Sequence, residues 1–147
     1  MKLAIAVGNN IAKENVWSIL ARLAVPASLV LAGTQRDGLL RTWAEQHTLP
    51  VETILAHTRY QREQAVYIRN ERIAMLAEQG LIIYNGKSTS LEHLMRRLRA
   101  HNKPLTVYRV EAKRVLRLDW NATPDTAPRI QKVTLYAADA ARAAPCA

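Results

Sequence analysis

The stretch "IIYNGKSTSLEHLMRRL", residues 82–98, sets an apolar run directly against Asn85, Gly86, Lys87, Ser88, Thr89 and Ser90, and then a helical period. A glycine, a lysine and hydroxyls after a strand are the residue types that hold phosphate, because backbone N–H groups and a cation converge on an oxyanion there. The match to a nucleotide-hydrolysing P-loop fails on spacing. That motif needs a second glycine five positions before Gly86, and Leu81, inside the strand run, occupies the place. A P-loop NTPase is excluded, and phosphate would be held another way.

Two other turns carry similar residue types. Gly8, Asn9 and Asn10 follow one apolar run, and Gly33, Thr34, Gln35, Arg36, Asp37 and Gly38 follow another. Arg69 and Arg72 lie three apart, so a helix places them on one face. Taken alone, such a pair is more often a solvated face or a salt bridge. No nucleophile elbow, HExxH or other metal-ligand cluster is present, and His47, His57, His93 and His101 share no metal-binding spacing. Neither a metal nor a cofactor is expected. Phosphate would then rest on backbone N–H groups, hydroxyls and guanidinium groups.

The elements that must position these residues alternate along the chain. Apolar runs at 2–7, 28–32, 51–56, 81–84 and 105–110 read as five strands. Between them, Val16, Ile19, Leu20 and Leu23, then Leu39, Leu40, Trp43 and Ala44, recur at helical spacing. A third helix begins near Gln64 and runs to Gln79 with Gly80 as its cap, and Leu91, Leu94, Met95 and Leu98 line a fourth. Strands alternating with helices predict an α/β fold: a Rossmann-like, doubly wound sheet of about five parallel strands with helices on both faces. In such a sheet ligands sit at the carboxyl ends of the strands, where all three polar turns fall.

The reading divides the chain into a Rossmann-like unit over 1–110 and an extension over 111–147. Within the extension, 111–136 is expected to form an edge hairpin or interface arm, with a strand at 129–136 and a frayed tail beyond. The 147 residues suffice for one domain with a real core. No phenylalanine is present, so aliphatic residues and the three tryptophans must build that core. The apolar start, "MKLAIAVGNN", is read as a buried strand rather than a signal peptide. No apolar run approaches the roughly 20 residues of a spanning helix. Cys146 is the only cysteine, which rules out an internal disulfide and points to the cytoplasm. A net charge of +9 and a pI near 10.2 favour anionic partners.

From "YIRNERIAM" (67–75) into "LIIYNGKSTSLEHLMRRLRAHNKPLTVY" (81–108), the chain resembles the YspA-like branch of the SLOG superfamily. These are Rossmann-like proteins related to the LOG phosphoribohydrolases and to DprA. Arg69-Asn70 corresponds to the branch's Arg-Asn at the start of a helix. Asn85-Gly86-Lys87-Ser88 corresponds to its Asp-Gly-Lys-Ser-like turn, and His93 to a histidine near the start of the next helix. "AEQHTLPVETILA" (44–56) also resembles the approach to the third strand. The likeness covers residues 2–110. It departs at "AGTQRDG", which keeps only Gly33 and Gly38 of a glycine-rich turn, and at Ser88-Thr89-Ser90, where relatives favour a Gly-Thr pair.

The resemblance implies a nucleotide or nucleotide-derived ligand. Phosphate would lie over Gly86–Ser90, with Lys87 and Arg69 supplying charge and Asn70 beside them. Gly33, Thr34 and Arg36 would form a second wall, and Asn9 or Asn10 would meet ribose or base near Gly8. LOG enzymes cut an N-glycosidic bond with an Arg and a Glu, and the register of that Glu falls on Leu94. Binding without strong catalysis is therefore the expectation. An N-glycosidase using Arg69 with Glu92, or with Asp37, is one alternative.

A DprA-like nucleic-acid module is the other. It draws on Arg96, Arg97, Arg99, Lys103, Arg109, Lys113, Arg114 and Arg117, although few aromatic residues are available for stacking. The LOG relatives pair through helices, so a homodimer is a further implication, and defence systems or mobile elements are a frequent setting. No membrane partner is expected.

Overall fold

The computed structural model describes residues 1–34, 36–57, 59, 61–121 and 127–135. The chain runs β1 (Lys2–Val7), α1 (Lys13–Ala21), β2 (Ser28–Leu31), α2 (Asp37–Gln46), β3 (Val51–Thr53), α3 (Arg62–Leu76) and β4 (Gln79–Tyr84). It continues with α4 (Thr89–Ala100), β5 (Leu105–Val110), β6 (Val115–Trp120) and β7 (Arg129–Val133). All seven strands form one sheet in the order β3-β2-β1-β4-β5-β6-β7. The first five in that order are parallel, and β6 and β7 add on antiparallel. The α/β, Rossmann-like architecture with an antiparallel edge is as the sequence predicts.

The inner strands serve two cores, because successive side chains point to opposite faces. Leu3 and Ile5 of β1, Leu29 and Leu31 of β2 and Leu81 and Ile83 of β4 pack under Val16, Ile19 and Leu20 of α1 and Leu40 and Trp43 of α2. Ala4, Ala6, Val30, Ile82 and Val107 face the other way, onto Ile73 and Ala74 of α3 and Leu94 and Leu98 of α4. Double burial of this kind turns a strand into a near-continuous apolar run, and that is why residues 2–7 are legible to the residue.

Several boundaries differ from the sequence reading, the second strand ending at Leu31 rather than 32 and the third helix opening at Arg62 rather than Gln64 among them. The third helix ends at Leu76, and Gln79 and Gly80 belong to β4. Gly80 is no cap: a Cβ there would lie 2.5 Å from Leu98 Cδ1 and 3.2 Å from Leu105 Cδ1, so its bareness lets α4 approach the sheet. The third strand stops at Thr53 rather than 56 because β2 ends at Leu31, whose carbonyl accepts the last ladder bond from Ile54 N at 2.8 Å. The last strand covers Arg129–Val133 and not the whole of 129–136. The expected tail at 137–147 lies outside the described residues.

Candidate functional site

β1 and β4 are neighbours, yet β1 sends its chain through α1 to β2 on one side while β4 sends its chain through α4 to β5 on the other. Where connections diverge like this, a crevice opens beyond the carboxyl ends of the strands. A cleft of about 350 Å³ lies there, floored by Ala6, Val7 and Gly8 and walled by residues that open α2, line α3 and open α4.

Gly8 is buried at the floor. Its N–H donates to Ile83 O at 2.8 Å, and a Cβ on it would stand 2.9 Å from Tyr84 Cβ and 3.2 Å from Leu91 Cδ1. A larger residue would force apart the two strand ends that frame the cleft.

α3 brings Arg62, Val66 and Arg69 to the cleft, a spacing of four and then three residues that keeps them on one helix face. Arg69 is the central group. Burial pushes its guanidinium pKa down, and the negative charge of Asp37 opposes that shift. Its Nη2 reaches Ser90 Oγ and Asn70 Oδ1 at 3.4 Å each, both long for an N–H···O bond. Its buried Nε finds no acceptor among the described residues. A guanidinium presents five donors in a rigid fork, and here the fork is aimed but under-satisfied.

Asn70 is the clamp that aims it. The side chain is 1% exposed. Its Nδ2 donates to Ser90 O at 3.0 Å and faces His93 Nδ1 at 3.2 Å, which ties α3 to the first turn of α4. His93 stacks on Tyr67 with ring centroids 4.2 Å apart. Burial, with Arg96 and Arg97 nearby, pushes the His93 pKa down, so a neutral ring can accept through Nδ1 and carry its proton on Nε2. Further along, Glu71 of α3 pairs with Arg97 and, through Oε1, with His101 Nε2 at 2.6 Å.

The hydrogen bond from Arg97, followed by that from His101, holds the Glu71 carboxyl below its ordinary value of 4.5. A folded-state pKa below the unfolded one means that this tie contributes fully above about pH 4.5 and fades as pH falls through the lower folded value. Wild type and Glu71→Gln should therefore differ in urea stability at neutral pH and converge in acid. Parallel curves across that range would contradict the assignment.

At the α2 end, Asp37 is 3% exposed. Its Oδ2 accepts from Gly33 N at 2.7 Å and Thr34 N at 3.1 Å, and its Oδ1 accepts from Thr34 Oγ1 at 3.2 Å. The carboxylate closes the turn over the helix start, where the helix dipole favours an anion. Both oxygens are engaged, so Asp37 braces the wall and contributes a fixed negative charge.

At the α4 end, Ser88 is the N-cap, its Oγ accepting from Leu91 N at 3.2 Å. The amides of Thr89 and Ser90 in this first turn have no intrahelical partner.

Of the residues singled out in the sequence, Gly8, Asn9, Thr34, Arg36, Asp37, Arg69, Asn70, Ser88 and Ser90 line the cleft. Asn10, Gly33, Gly86, Lys87 and Thr89 stand outside its lining. Asn10 is exposed with φ 59. Gly33 packs toward Thr53 and Leu55, and Gly86 abuts the Arg109 guanidinium. Lys87 is exposed, its backbone N–H donating to Asn85 Oδ1 at 3.0 Å. Thr89 opens on an adjoining recess shared with Tyr67. Glu92 is absent from the lining, whereas Leu94 is part of it. Arg72 is exposed and does not join Arg69 there. Gln35 lies outside the described residues.

Arg62 and Val66 are the lining residues that the sequence reading passes over. The polar segment before α3 hides where the helix begins. Once Arg62 is known to open it, the Arg62–Val66–Arg69 spacing is the signal that finds them.

Among the described residues no group of three or more His, Cys, Asp or Glu is placed to hold a metal ion. No described helix is long and apolar enough to cross a membrane. Comparison with protein-family models, with curated proteins and with solved structures returns no match.

Proposed function

We propose that the cleft binds a nucleotide or nucleotide-derived ligand by its phosphate and leaves it intact. The observation that carries this reading is the Arg69 guanidinium, half-buried in the cleft with its Nε unpartnered among the described residues. A buried cation without full compensation is costly, and a phosphate oxygen pair satisfies such a fork in bidentate fashion. The Ser88 and Ser90 hydroxyls and the open Ser90 amide at the start of α4 add donors on the same side. The resemblance to YspA-like SLOG proteins supports the same ligand class.

Binding is favoured over cutting because the carboxylates are in the wrong place or already engaged. A glycosidic bond that breaks with cationic sugar character wants a carboxylate close to the sugar. Glu92 is off the cleft, Leu94 is on it, and both Asp37 oxygens accept hydrogen bonds.

A small ligand is favoured over nucleic acid because much of the basic run is internally paired. Arg97 bridges to Glu71, Arg109 and Arg114 to Glu111, and Arg117 to Asp119. Lys103 Nζ donates to Ala77 O at 2.7 Å.

Ultrafiltration of the protein with a nucleotide panel, read by mass spectrometry, tests the proposal. One or more nucleotides retained with unchanged mass is the expected result. Release of free base and ribose phosphate would establish a hydrolase instead.

A further inference from the structure

The cleft does not end at β1. On the α1/α2 side of the sheet, between the opening turns of those helices, lies a second cavity of about 500 Å³. Val7, Gly8 and Arg36 line both spaces, so the two meet over the end of β1.

The two lobes differ in character. Around the first stand Arg69 and the serine hydroxyls of Ser88 and Ser90. The second has apolar walls from Ile11 and Leu39, the surface that suits the faces of a ring. At the junction, Arg36 is exposed and its side chain makes no hydrogen bond or ion pair among the described residues.

Charge also counts against a ligand with a single phosphate. Arg62 and Arg69 line the first lobe, Lys13 the second, and Arg36 both. The carboxylate on this surface, Asp37, is already turned to its own loop. One phosphate at Arg69 leaves Arg36 without an anion. A diphosphate crossing Gly8 would meet both guanidinium groups.

We propose, resting on the phosphate reading above, that the ligand has two halves joined through a diphosphate. One half lies in the α3/α4 lobe against Arg69. The second phosphate sits at Arg36, and a ring fills the apolar α1/α2 lobe. The chemical class is a nucleoside diphosphate extended by a second sugar or nucleoside.

Gly38 supplies the test. It lines the second lobe, and a Cβ built on it meets nothing within 4 Å. A side chain there enters empty space, so Gly38→Trp should plug this lobe and leave the first one untouched. Calorimetric titrations of wild type and variant would use ADP-ribose as the two-part probe and AMP and ribose 5-phosphate as its halves.

Wild type should bind ADP-ribose at least about tenfold tighter than the better half. Gly38→Trp should remove that advantage while the half that occupies the first lobe keeps its affinity. ADP-ribose binding no tighter than its better half in wild type overturns the inference without any variant and leaves the phosphate reading standing. An ADP-ribose affinity unaffected by Gly38→Trp does the same. Failure of all three probes to bind overturns both.

Discussion

Replacing Arg69 with methionine should cut affinity for the retained nucleotide by about 100-fold or more while leaving the fold at least as stable as wild type. The two effects have one cause. Within the protein the guanidinium has two long hydrogen bonds and a buried Nε with no acceptor among the described residues. Such a group adds little to folding, and an apolar side chain of similar length removes its desolvation cost. With phosphate present, the same group makes charge-assisted bonds worth roughly 1.5–3 kcal/mol each. Arg69→Lys should recover only part of the affinity, because an ammonium supplies charge without the planar fork. Calorimetry and thermal denaturation on the same samples give both readouts. Unchanged affinity in Arg69→Met, or a collapse of stability, would show that Arg69 is a structural residue.

The opposite pattern is expected at Asp37. Asp37→Ala should cost about 2–4 kcal/mol of stability, because it strips the acceptors from the Gly33 and Thr34 amides and the Thr34 hydroxyl, and bonds to a charged acceptor are the stronger kind. Asp37→Asn keeps one side-chain oxygen and should fall between alanine and wild type. Urea unfolding measures both. If Asp37 were instead a catalytic carboxylate of the N-glycosidase alternative, Asp37→Asn would abolish turnover at little cost in stability. The ordering of stabilities across the three proteins therefore separates a brace from a catalyst.

The strands were easy to read and the site was not, for different physical reasons. β1 is buried on both faces where it crosses the sheet centre, so its composition alone marks it. Glycines are ambiguous. Gly80 looks like the stop of a helix, but it is a contact point for Leu98, and only the position of α4 reveals that. Gly86 and Lys87 attract attention as a phosphate cradle, yet a glycine with φ 88 that turns the chain against Arg109 has the same letter as one that admits a ligand. Arg69-Asn70 stood out by resemblance. The division of labour between them, one residue aimed at the cleft and the next locked to Ser90 O, depends on where α4 docks. Arg62 follows a polar segment with no period, and nothing local distinguishes it from the other surface arginines.

The most direct measurement is a ¹⁵N NMR titration of the arginine Nε–Hε signals with AMP, with the Arg69 signal assigned by its loss in Arg69→Lys. The account predicts that the Arg69 signal shifts as its unpartnered Nε gains a phosphate oxygen, while the signals of Arg96 and Arg114 on the outer surface stay in place. Shifts confined to those surface arginines, with Arg69 unmoved at saturating AMP, would contradict it and return the basic surface to first place.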